Sequence, residues 1–135
     1  MELWDFCSDS GRNEIQDWAR KLRLTARERG QLNQKLHALT RIGFDLAHET
    51  FLAGPIHSKS EKFEHIYKLR IFSDRPLRPM LCRGPVRTID EMTLLCGAIE
   101  TDHGFQPVGA PALAVERRAR VENSQGGFRK LHERF

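Results

Sequence analysis

The chain is short of cysteine, has a single tyrosine and contains no long apolar run, and these scarcities remove whole classes of protein. Its three cysteines, Cys7, Cys82 and Cys96, are odd in number and far apart, so a disulfide-stapled scaffold, a zinc ribbon and a Cys-x-x-Cys redox pair are all disfavoured. A zinc site from Cys82, Cys96 and His103 would need a tetrahedral convergence that the spacing does not promise, and buried thiols in a reducing compartment are the plainer account. No metal or other cofactor is therefore expected. The first six residues lack a basic segment followed by an apolar one, and no later apolar stretch approaches the roughly 20 residues needed to span a bilayer. A cytoplasmic protein without a membrane partner is expected. There is no internal repeat.

What is present suits one globular domain. The 135 residues leave too little apolar surface for two independent cores, and 39% hydrophobic with 30% charged residues is ordinary for a folded chain. Residues 1–123 are expected to form that domain, with 124–135 a basic C-terminal tail that can be flexible. The net charge of +4 is mild. Its distribution is more informative, since Lys62, Lys68, Arg70, Arg75, Arg78, Arg83 and Arg87 are opposed between positions 62 and 87 only by Glu64 and Asp74, a local 7 − 2 = +5.

Leu3, Trp4 and Phe6 read as a short first strand, and Ser8-Asp9-Ser10-Gly11 as a turn that offers caps to a helix. Ile15, Trp18, Ala19 and Leu22 form an apolar stripe at helical spacing. Thr25-Ala26-Arg27-Glu28 reads as a capping box opening a second helix, striped by Leu32, Leu36, Leu39 and Ile42 and closed by Gly43. Gly54-Pro55 breaks the following connection. Alternation over Glu64–Phe72 predicts a strand with His65, Tyr67, Leu69 and Ile71 on one face and Lys68 and Arg70 on the other. Leu77–Arg83 is expected to return antiparallel, with Pro79 suggesting irregular or edge pairing. Met92–Ile99 reads as a central strand covered on both faces, Asp102-His103-Gly104 as a loop, and Ala110–Val121 as a helix with Arg117, Arg118 and Arg120 outward. The class is α+β, a helical hairpin on a mainly antiparallel twisted sheet of about four strands, with a C-terminal helix.

The segment Ile66-Tyr67-Lys68-Leu69-Arg70-Ile71 resembles the hallmark strand of the RelE/ParE toxin superfamily, in which an aromatic precedes a Leu-Arg pair. Around it, Asp17–Leu22 and Leu36–Gly43 are similar to the helical hairpin of the phage-derived HigB-like branch. Arg75-Pro76-Leu77-Arg78 sits where that branch begins its next strand, and Leu94-Leu95-Cys96-Gly97-Ala98 resembles its Leu-Leu-His-Gly-Phe strand. The likeness spans about residues 14 to 121.

The resemblance implies the toxin of a toxin–antitoxin system, a ribosome-dependent mRNA endoribonuclease partnered by a helix-turn-helix antitoxin from an adjacent gene. Such cleavage uses the ribose 2′-hydroxyl as nucleophile and requires stabilisation of a dianionic phosphorane, a task suited to a planar guanidinium. By the motif match Arg70 takes that role, with Lys68 and Arg78 as supporting phosphate contacts. Lys62, Arg75, Arg83, Arg87, Arg117 and Arg118 are candidate RNA contacts. His65 and His103 are candidate acid or base groups because histidine titrates near neutrality; a structural histidine and a plain loop histidine are the competing readings. The family usually continues with lysines after the Leu-Leu-x-Gly strand, whereas Glu100 and Asp102 stand here. Two alternatives follow: a catalytically silent RelE-fold protein of phage or mobile-element origin that binds a protein or nucleic acid, and a ParE-type inhibitor of gyrase.

Overall fold

A computed structural model describes residues 1–48 and 50–135. In chain order the elements are β1 (Glu2–Phe6), α1 (Glu14–Leu22), α2 (Ala26–Ile42), α3 (Phe44–His48), β2 (Leu52–Ala53), β3 (Ile56–Ser58), β4 (Glu61–Phe63), β5 (Tyr67–Leu69), β6 (Leu77–Arg83), β7 (Glu91–Thr101), β8 (Gly104–Gln106), α4 (Ala110–Asn123) and β9 (Arg129–Leu131). The class is α+β with a mainly antiparallel sheet, as expected, but the main sheet has seven strands rather than four. Its order is β2-β5-β6-β7-β1-β9, with β8 also on β7. β1 runs parallel to β7, and the other pairings are antiparallel.

The helical hairpin forms where local chemistry dictates. Asn13, rather than the Ser8–Gly11 turn, caps α1 by accepting the Ile15 and Gln16 amides, each at 3.0 Å. The capping box at α2 is complete: Thr25 Oγ1 accepts the Glu28 amide at 3.1 Å and Glu28 Oε1 accepts the Thr25 amide at 2.9 Å. Both helices lay their apolar stripes on the sheet, burying Ile15, Leu32, Leu36 and Leu39 against Leu69, Leu77, Leu81 and Leu94. A second cluster on the opposite face joins Ile66, Met80, Cys82 and Cys96 to Ala110 and Ala114 of α4. The sheet is thus covered on both sides, and Glu91–Ala98 is buried without a break.

A register shift in the β6/β7 ladder decides which side chains meet. Leu81 faces Leu94, whereas Met80 faces Cys96, so Leu95 is an extra residue on β7. Before it, Met92 and Leu94 point to the hairpin; after it the parity reverses, with Ile99 against the hairpin cluster and Cys96 and Ala98 against α4. Glu100 consequently shares the α4 face with Arg78 of β6 and Lys68 of β5.

Two local expectations are corrected, and the irregular pairing expected at Pro79 is found. The strand expected over Glu64–Phe72 contracts to Tyr67–Leu69, because Glu61–Phe63 pairs instead with Ile56–Ser58 and His65 takes a φ of +69° in the turn between. His65 is therefore exposed in a turn and does not share a strand face with Leu69. Pro79 lies in an interior strand, but β5 pairs only with Met80 and Leu81, leaving that flank of β6 open at the proline. The arginines of α4 do not point freely outward. Arg117 donates to the Leu95 carbonyl at 2.9 Å and covers the Phe6 ring, Arg118 pairs with Glu122, and Arg120 pairs with Asp9.

The last dozen residues add an edge to the sheet. β9 pairs with β1 from Trp4↔Leu131 to Phe6↔Arg129, and Asn33 exchanges two hydrogen bonds with the Phe135 backbone. No described helix is long and apolar enough to cross a membrane.

Candidate functional site

β5 carries Lys68, Arg70 follows it directly, and Arg78 lies on the neighbouring β6; Glu100 closes on Lys68 and Arg78. Lys68 Nζ lies 3.0 and 2.9 Å from the two Glu100 carboxylate oxygens, and Arg78 Nε donates to Oε1 at 2.8 Å. Arg78 Nη1 also donates to the Leu77 carbonyl at 2.9 Å. Lys68 further rests over the Phe105 ring, 5.4 Å from its centroid. All three charged side chains are largely withdrawn from solvent, so their mutual attraction is little screened. Burial pushes the Glu100 carboxyl up, but the hydrogen bonds and positive charge of Lys68 and Arg78 outweigh it and hold it below its ordinary value. Glu100 is accordingly ionised, and it engages Lys68 Nζ and Arg78 Nε.

Arg70 differs. It lies one residue past β5 between Leu69 and Ile71, both buried under the hairpin, and its backbone amide donates to the Phe51 carbonyl at 2.9 Å. Its side chain is exposed, with no hydrogen bond or ion pair to any described residue.

The remaining predicted contacts are dispersed. Arg75 forks onto Glu28 at 2.9 and 2.6 Å, Arg83 pairs with Asp45, and Arg87 with Glu2, Asp90 and Glu91. Arg117 approaches Glu14 at 3.8 Å and Arg118 approaches Glu122 at 3.6 Å. Of the nine cations named from the sequence, Lys68, Arg75, Arg78, Arg83, Arg87, Arg117 and Arg118 are therefore engaged by carboxylates. Only Arg70 and Lys62 have no such partner among the described residues. The local charge of +5 is offset by acids brought from elsewhere in the chain.

The histidines are likewise separated from Arg78 and Lys68. His65, Lys62 and Arg118 border one cavity of about 390 Å³ beside Glu61 and Glu64, whereas His103, in the β7–β8 turn, borders another of about 330 Å³. Neither cavity includes Lys68, Arg70 or Arg78.

No family model, curated protein or solved structure matches this chain.

Two residues that sequence reasoning passed over form a buried pair. Asp5 on β1 is wholly inaccessible, and its carboxylate meets His132 Nδ1 at 2.8 Å and accepts the Asn13 Nδ2 amide at 3.0 Å. The available signal was an aspartate between Trp4 and Phe6 in an otherwise apolar strand, since a buried carboxylate needs a partner. Nothing local pointed to His132, which lies 127 positions away.

Proposed function

We propose that this protein is a catalytically silent member of the RelE/HigB-like group that acts by binding a protein partner. Support for the likeness comes from the order of elements: a first strand, a helical hairpin, then an antiparallel run from β5 through β6 to β7, which returns beside β1. The observation that carries the silent reading is Glu100 held between Lys68 and Arg78. A 2′-hydroxyl attack builds negative charge on the phosphorus oxygens, and a carboxylate seated on the cations would repel that charge while satisfying the donors meant for it. A protein is the partner of choice over nucleic acid because so few of the cations remain unpaired. Exposed Ile42, Leu46 and Ile89, the last at 91% exposure, rim one cleft and offer apolar surface of the kind partner proteins cover. An antitoxin-like chain is the partner that the resemblance implies.

A ribosome-dependent mRNA endoribonuclease is the second reading, favoured by Arg70, whose exposed side chain has no ion-pair partner among the described residues. One experiment separates the two: inducible expression of the wild-type chain and of Arg70→Ala, with transcripts on translating ribosomes mapped for cuts and the chain's bound proteins recovered from its native host. Undiminished growth, intact transcripts and a stoichiometric protein partner are expected. Growth arrest with transcript cleavage that disappears in Arg70→Ala would overturn the silent reading, and DNA damage without transcript loss would point to a gyrase inhibitor.

A further inference from the structure

The Asp5–His132 pair stands apart from the Glu100 cluster and opens onto a cavity of its own. Because Asp5 is fully buried, its carboxylate is stabilised only by the groups that meet it, and it accepts from both Asn13 Nδ2 and His132 Nδ1. That network assigns the imidazole proton to Nδ1. In the neutral ring Nε2 then presents a lone pair, held in a fixed direction by the aspartate and by the edge of the Phe135 ring, 5.2 Å away between centroids. Nε2 receives no hydrogen bond from any described residue and is not sealed from solvent. One nitrogen of the imidazole is thus anchored, and the other is left for a further partner.

His132 borders a cleft of about 520 Å³ between α2 and the β1/β9 edge. Leu3, Leu36 and Leu131 supply apolar wall, while His37 and Arg134, both exposed, stand at its border. Among the described residues no acidic side chain lines it. The cleft therefore combines an apolar floor, a ring nitrogen held in a fixed direction and a guanidinium, in contrast to the mixed-charge cavities beside α4.

We infer that this cleft is a binding site for a small amphipathic anion carrying a hydroxyl group. The apolar body lies against Leu36 and Leu131, the hydroxyl forms a hydrogen bond with His132 Nε2, and the carboxylate or phosphate meets the Arg134 guanidinium. His132 is a binding residue in this assignment, and Asp5 positions it.

Nuclear magnetic resonance titration with 4-hydroxyphenylacetate tests the site, with phenylacetate as the analogue lacking the hydroxyl. The expected result is a saturable shift of the His132 ring nitrogens and of the Leu131 and Gln34 amides. Phenylacetate should bind about fivefold more weakly, the value of one neutral hydrogen bond. Arg134→Ala, a substitution at an exposed position that leaves the Asp5 pair intact, should weaken 4-hydroxyphenylacetate by about tenfold. Absence of a saturable shift at the cleft overturns the assignment. So does equal binding of the two acids, or binding indifferent to Arg134→Ala; in either case the pair is only a clamp on β9.

Discussion

The indole of Trp18 lies over Gly97, so closely that a Cβ added at position 97 would sit 2.1 Å from the ring. Trp18 comes from the apolar stripe of α1 and Gly97 from β7 just beyond the register shift, so the contact fixes the hairpin on the central strand. Gly97→Ala should therefore destabilise the fold by roughly 3 kcal/mol, because a rigid ring in a packed core cannot yield by the required distance. Urea denaturation monitored by tryptophan fluorescence would register this as a lowered midpoint with an unchanged slope. An unaltered midpoint would show that the indole is free to move away.

The capping-box carboxylate predicts an acid-sensitive stability. Hydrogen bonds from Arg75 hold the Glu28 carboxyl down to about 2 from its ordinary 4.5, against the opposing effect of burial. A group depressed in the folded state contributes stability above its unfolded value and loses it as pH falls toward the folded one, here between about 4.5 and about 2. With Arg75 partly exposed, the contribution is about 1 to 2 kcal/mol after screening. Comparison of wild type with Glu28→Gln by chemical denaturation should show a gap at about pH 6 that narrows steadily below about pH 4. A gap independent of pH would contradict the ion pair.

Thiol chemistry offers a separate check on the α4 face. Burial pushes the Cys82 and Cys96 thiols up to about 12, and burial also raises Cys7. A thiol is reactive only as thiolate, so a disulfide reagent at about pH 8 should leave all three unmodified in the native protein and label all three in denaturant. Fast labelling of Cys82 or Cys96 under native conditions would mean that α4 does not cover the sheet as described.

Much of the framework was legible because its determinants are local. The stripe Ile15–Leu22, the reciprocal Thr25–Glu28 cap, and the apolar run of β7 each carry their instruction within a few residues. The strand over Glu64–Phe72 was overextended because alternation alone cannot separate a continuous strand from a turn followed by a short one; Ile66 and Leu69, buried on opposite faces, satisfy either. β9 carried no apolar signal of its own and exists through pairing with β1. The pairing of Glu100 with Lys68 and Arg78 was hidden for a related reason. Charge counting along the chain sees Lys68 and Arg78 but not the single extra residue, Leu95, that turns Glu100 onto their face. Without that register shift, side-chain parity would direct Glu100 toward the hairpin and leave both cations open.

The claim that Glu100 closes this face is tested most directly by fluorescence anisotropy with a short single-stranded RNA, comparing wild type with Glu100→Gln at low salt. Removing the charge while keeping the shape should release Lys68 and Arg78. The variant is expected to bind at least about tenfold more tightly than wild type, with a steeper loss of affinity as salt rises. Tight binding by the wild-type chain, unchanged in Glu100→Gln and abolished in Lys68→Ala, would contradict it.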